Sequence, residues 1–179
     1  MMINLSDLLT IICATKNRPY FIKRLIDYYE CTEFKGHLII CDSSDVKELK
    51  LLKDFIKISS LNITFFHKKL ILPRIITYAF NLTETKYACL LMDDDILLIE
   101  GINKSIEFLN ANNEYVGATG LNYNFTLVGN SGASGKLLGF NTYCSFFTDS
   151  KMAKIRMKKL LETKDFYISS IFKKDVVEQ

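Results

Sequence analysis

The chain has 179 residues, a formal net charge of +3, 49% hydrophobic and 24% charged residues, which is the make-up of one ordinary globular domain rather than of a disordered or membrane-spanning chain. No apolar stretch reaches the roughly 18 to 20 residues of a transmembrane helix before Lys, Asp or Glu interrupts it, and so small a positive charge does not by itself call for nucleic acid. Five widely spaced cysteines, Cys13, Cys31, Cys41, Cys89 and Cys144, and only two histidines, His37 and His67, both in apolar settings, argue against a disulfide framework and against a zinc site.

Met1 to Thr10 lacks a basic start and carries Asp7 before its short apolar segment, so no secretory signal is expected and the expected location is the cytoplasm. Leu8 to Ala14 is apolar throughout and too short for a helix, which predicts a central parallel strand covered on both faces. It stops at Thr15-Lys16-Asn17-Arg18-Pro19, and a helix is expected from Tyr20 to Tyr29, with Phe21, Ile22, Leu25, Ile26 and Tyr29 at helical spacing. His37 to Cys41 is a second buried-type strand ending at Asp42-Ser43-Ser44-Asp45, and Asp45 is placed to cap a helix running to Ile58. A third strand spans Leu61 to Phe66, and a third helix spans Leu72 to Leu82 with Pro73 in its first turn.

The fourth strand, Tyr87 to Met92, delivers three consecutive carboxylates, Asp93, Asp94 and Asp95. At about 5 Å and an effective dielectric near 20, each neighbouring pair costs on the order of 3 kcal/mol, so the triplet is either fully solvated or neutralised by a cation. The order β-α-β-α-β-α-β predicts a parallel sheet with helices on both faces, and ligands of such sheets sit beyond the carboxyl ends of the strands. Thr15 to Arg18, Asp42 to Asp45 and Asp93 to Asp95 are the polar clusters at those ends.

Beyond the triplet, Gly101 to Asn110 reads as a helix with Ile102, Ile106 and Leu109 inward, and Tyr115 to Thr119 as a strand. Gly117 to Gly139 gathers most of the glycines and is expected to be a mobile loop. Its Asn130 to Leu137 stretch resembles a phosphate-binding loop only superficially, lacking the first glycine and the hydroxyl after Lys136. Thr142 to Phe147 reads as a strand leading to Asp149, and the basic tail from Lys151 to Lys174 as an amphipathic helix, solvated or in peripheral contact with the inner face of an anionic membrane.

Thr15-Lys16-Asn17-Arg18-Pro19, Ile40-Cys41-Asp42-Ser43-Ser44 and Tyr87 to Asp95 together resemble the GT-A glycosyltransferases of the family 2-like type, over residues 8 to 120. The resemblance implies a three-layer α/β/α sandwich with a mostly parallel central sheet. One domain over residues 1–179 is expected, with a nucleotide-binding half over 1–120 and an acceptor-side half over 121–179 that is short for this group, as in a fragment, a minimal enzyme or a degenerate one. It also implies a metal-dependent, inverting transfer of a hexosyl group from a UDP- or GDP-type sugar to an unidentified glycan, lipid or protein acceptor. Asp95, together with Asp93, would hold Mn2+ or Mg2+, with Asp93 on the ribose or a metal-bound water and Asp94 between them. Thr15, Asn17, Arg18 and Asp42 would line the nucleotide pocket. Of the basic and asparagine residues usual at the start of the third helix only Arg74 is near, since Thr77 to Phe80 fills the stretch. The general base of an inverting enzyme would be one of Asp149, Glu162 and Asp165.

Three other readings compete. A non-catalytic nucleotide-sugar-binding or scaffold protein would keep the first half and lack the base. A nucleotidyltransferase would show a glycine-rich loop after the first strand, and a receiver domain would show paired acids there, where this chain has Thr15 to Arg18.

Overall fold

The structure is a computed structural model that describes residues 4–69, 71–129, 133–144, 150, 152, 154–156, 158–159 and 169–177. The chain forms two units, one of Met1–Thr119 with Ser169–Gln179 and the other of Gly120–Ile168.

The first unit is built on a six-stranded sheet in the order β3-β2-β1-β4-β8-β5. β1 (Leu9–Thr15), β2 (His37–Asp42), β3 (Asn62–His67) and β4 (Tyr87–Met92) run parallel, while β8 (Ile171–Lys173) pairs antiparallel with both β4 and β5 (Gly117–Ala118). The helices α1 (Pro19–Cys31), α2 (Val46–Lys57), α3 (Leu72–Asn81) and α4 (Ile99–Ala111) connect them. Every residue of β1 is buried, as its unbroken apolar run requires of a strand covered on both sides.

Strand alternation divides the core. Leu9, Ile11, Cys13, Leu38, Ile40, Cys89 and Leu91 face α1, α2 and α4, meeting Ile22, Leu25, Tyr29, Leu52, Ile102 and Ile106. Ile12, Ala14, Ile39 and Cys41 face the other way, onto Ile75 and Ala79 of α3. Each fully buried branched or aromatic side chain here contributes about 1.5 to 3 kcal/mol, so the three layers are held chiefly by β1, β2 and the helices that flank them. The expected α/β/α sandwich with a mostly parallel sheet is the observed architecture.

After residue 115 the structure shortens one expected strand, meets part of another and overturns the expected loop. The strand expected over Tyr115 to Thr119 is reduced to Gly117–Ala118. The glycine-rich stretch expected to be a loop carries most of an antiparallel hairpin, β6 (Asn122–Val128) with β7 (Lys136–Cys144), in the second unit. Alternation in Asn122-Tyr123-Asn124-Phe125-Thr126-Leu127 outweighs the glycines, and Gly135, at φ +154°, serves the hairpin. The strand expected over Thr142 to Phe147 is the end of β7 as far as Cys144; residues 145–149 lie outside the described residues.

The tail expected to be helical to Lys174 instead gives up Ile171–Lys173 to the main sheet, because Ile171 can be buried between β4 and β5. Most of residues 151–168 lies outside the described residues, and with it most of the basic segment considered for membrane contact. Among the described residues, no helix is long and apolar enough to cross a membrane. Cys13, Cys31, Cys41 and Cys89 are free thiols; burial pushes the Cys41 thiol up to about 12 and those of Cys13 and Cys89 upward too, which keeps all three from acting as nucleophiles at neutral pH.

Candidate active site

Parallel register puts four polar residues in one row across the carboxyl edge of the sheet. His67 pairs with Asp42, Asp42 pairs with Thr15, and Ala14 pairs with Met92, so that Asp93 comes level with Thr15. All four follow apolar residues that alternate between the two faces, and all four lie on the face of α1 and α2. Between β1 and β4 the strand order reverses, from β3-β2-β1 to β4, which is where such sheets open a crevice.

Asp93 directly follows β4 at that reversal and is only 3% exposed. Its Oδ2 accepts from the Thr15 hydroxyl at 2.7 Å and its Oδ1 from Arg18 Nη1 at 2.6 Å. Burial raises its carboxyl above the usual range, while the Thr15 hydrogen bond and the Arg18 charge pull it back down. Arg18 also reaches Asp94 Oδ2 at 3.1 Å and lies over the Phe21 ring at 3.9 Å. The same guanidinium therefore bridges two of the three acids.

Asn17 ties β1 to the loop after β2. It sits at φ 56°, in the left-handed region that asparagine tolerates better than most residues. Its backbone N–H donates to Ser44 Oγ at 2.7 Å, its Nδ2 donates to Asp45 Oδ2 at 3.0 Å, and its Oδ1 accepts from the Asp45 N–H at 2.8 Å. Asp45 occupies the cap position of α2 but makes no side-chain cap bond, because its carboxylate is turned to Asn17 and, at 3.8 Å, to Lys69.

Asp42 is fully buried. Its Oδ1 accepts from the Ser44 N–H at 3.1 Å and from the Ser44 hydroxyl, and its Oδ2 faces His67 Nδ1 at 2.7 Å. Both oxygens of the acid expected to meet the nucleotide are thus engaged inside the protein.

The turn after β4 is closed by the Asp95 N–H to Met92 O bond at 3.1 Å. Asp95 is exposed, and its carboxylate has no partner among the described residues. Partial desolvation, then repulsion from Asp94, raises its carboxyl above the ordinary range. Arg74 is exposed on the first turn of α3. Asp149, Glu162 and Asp165 lie outside the described residues.

Three contributors escaped the sequence reading. Arg24 donates from Nη2 to the Asp94 carbonyl at 2.7 Å; desolvation lowers its pKa, and the charge of Asp94 opposes that. Its signal was available, since Arg18, Phe21 and Arg24 recur every third residue along α1 and the two guanidinium groups share the Phe21 ring. Ser44 stands inside the Asp42-Ser43-Ser44 motif and serves Asp42 from two residues away, whereas His67 had no such signal, because its role depends on strand pairing.

An oxygen-only donor set suits Mg2+ or Mn2+, and such ions are commonly held by one or two carboxylates together with substrate phosphate and water. The residues present fit that description: Asp95 offers unengaged oxygens beside like charges that a cation would relieve, with Asp94 adjacent. Among the described residues no group of three or more His, Cys, Asp or Glu side chains is arranged to hold a metal ion, so one or two carboxylates would have to share the ion with substrate and water.

The fold is that of the GT-A-like glycosyltransferases. The chain is similar to S. aureus TarS 1-349, with a TM-score of 0.62 and 13% identity over 95% of this chain and 48% of that one. It is also similar to the mannosyltransferase PcManGT from Pyrobaculum calidifontis, solved in complex with GDP-Man and Mn2+, with a TM-score of 0.54 and 14% identity over 61% of this chain and 34% of that one. The chain therefore spans about a third to a half of the length of these structures, and at such identities the likeness is one of fold. No protein-family model and no curated protein matches the chain.

Proposed function

We propose that the chain binds a nucleoside-diphosphate sugar of the UDP or GDP type at the carboxyl edge of its sheet, with Mn2+ or Mg2+, and transfers the sugar to an acceptor. The observation that carries this reading is the junction of β1 and β4, where Thr15 and Arg18 saturate Asp93 while Asp95 stays exposed with its carboxylate unengaged. A divalent ion bound there would neutralise the charge that develops on a diphosphate leaving group.

In this reading Asp95 holds the ion, and Asp93 fixes the neighbouring strand end and Arg18, reaching the ribose or a metal-bound water if Arg18 turns to the phosphates. Asn17 and Thr15 hold the pocket wall, and Arg74 is the nearest cation of α3 for the diphosphate. The T-x-N-R and acid-triplet pattern resembles that of the family 2-like type, and hexosyl transfer with inversion is what that resemblance implies. The base that inversion needs would come from Asp149, Glu162 or Asp165 on the acceptor side of the chain. PcManGT was solved with GDP-Man and Mn2+, which supports testing the guanosine and uridine donors first.

Thermal shift with UDP, GDP and CMP, with and without Mn2+, tests the binding claim. A ligand at about 100 times its dissociation constant stabilises by roughly 2.7 kcal/mol, a shift of about 5 to 10 °C for this chain length. Absence of any metal-dependent shift would remove the reading. Release of free sugar from a bound donor then separates an enzyme from a nucleotide-sugar-binding scaffold.

A further inference from the structure

We infer that His67, held in one tautomer by Asp42, is the residue that reads the nucleobase, and that it selects a base carrying a ring N–H, as in uridine and guanosine, over cytidine. The inference rests on the nucleotide-binding reading above and assigns the base end of the same site.

Asp42 cannot meet a ligand directly, since it is fully buried and both of its oxygens are engaged. Its Oδ1 takes donors from the Ser44 N–H and hydroxyl, so an acceptor-only carboxylate is left to face His67, and Nδ1 must carry the hydrogen. In the neutral ring, Nε2 is then an acceptor. The His67 side chain is 26% exposed, and Nε2 has no partner among the described residues. The acid's accepting character is thereby passed through the imidazole to the edge of the site.

The placement suits the ligand. His67, Asp42, Thr15 and Asp93 occupy consecutive strands of one row, and at about 4.8 Å between strands His67 lies roughly 14 Å from the acid triplet. A nucleoside diphosphate laid along this row toward β3, with its diphosphate at Asp95, would bring its base to His67. An N–H at the base edge matches the Nε2 lone pair; the cytosine ring nitrogen at the same position is itself an acceptor and faces it unpaired.

Asp42 is a positioning residue in this scheme, and its replacement gives a readout that a structural role would not. In Asp42→Asn the two Ser44 donors require the amide oxygen, which turns the amide NH2 to His67 Nδ1 and moves the imidazole hydrogen to Nε2. The imidazole then donates, and cytidine becomes the better match.

The experiment is titration calorimetry of the full chain with UDP, GDP and CDP in excess Mn2+, near pH 8, where an ordinary imidazole is neutral. The expected result is binding of UDP or GDP about tenfold tighter than CDP. His67→Phe should bring the ratio to within about twofold, and Asp42→Asn should reverse its direction. His67→Ala replaces His67→Phe if the larger ring prevents folding. A wild-type preference for CDP, or an unchanged ratio in folded variants, overturns the inference while leaving nucleotide binding intact. Failure of all three nucleotides to bind overturns both.

Discussion

Thr15 Oγ1 and Asp93 Oδ2 stand 2.7 Å apart at the ends of adjacent parallel strands, one on β1 and the other just past β4. Their bond pulls the Asp93 carboxyl back down against the rise that burial imposes at a site only 3% exposed. Thr15→Val preserves shape and removes the donor, leaving Arg18 as the remaining side-chain partner of a buried carboxylate. A loss of about 1 to 3 kcal/mol is expected, read as a lower urea midpoint at unchanged slope. A midpoint equal to that of the wild type would show that the bond contributes nothing net.

The raised carboxyls give a pH dependence of definite sign. Burial for Asp93, and desolvation with repulsion from Asp94 for Asp95, lift both above the ordinary range. A group whose folded pKa is raised contributes stability that is fully present below its unfolded value, about pH 4, and is lost as pH rises through the folded value. The metal-free protein therefore loses this contribution as pH climbs from about 4. Asp95→Asn should flatten the profile and raise the neutral-pH midpoint by up to about 4 °C; a steeper profile would contradict the assignment.

Asp95→Ala tests the proposed metal site. The shift of about 5 to 10 °C produced by nucleotide with Mn2+ should fall to the value seen without metal, while the protein alone melts no lower than the wild type. Retained metal dependence would move the site elsewhere.

Gly117 pairs with Phe172 of β8, and a Cβ added there would come 2.6 Å from the Phe172 ring. Gly117→Ala should cost about 1 to 3 kcal/mol, and hydrogen exchange should show its effect first in Ile171–Lys173. Uniform loss of protection across β1 and β2 instead would mean that β8 is not a separable edge element.

The first four strands and helices were legible because each strand is an apolar run cut off by polar residues, and each helix keeps a regular stripe such as Ile22, Leu25, Ile26 and Tyr29. The row Thr15, Asp42 and Asp93 was legible for the same reason, since strand ends announce themselves. His67 was not, because its partnership with Asp42 is a fact of register between β2 and β3. β8 was hidden too: three residues, Ile171 to Lys173, carry no period of their own and are defined by the neighbours they pair with. The pairing of Asn122–Val128 with Lys136–Cys144 was missed because the glycines of the stretch read as loop.

The position of β8 between β4 and β5 also orders events on the ribosome. β4 emerges with one side open and is covered on that side by Ile171–Lys173 only after the whole Gly120–Ile168 unit has been translated. Until then the nascent chain displays an unpaired strand border immediately before the acid triplet. The negative charges of Asp93 to Asp95 at its end disfavour pairing of that border with a second copy of the chain.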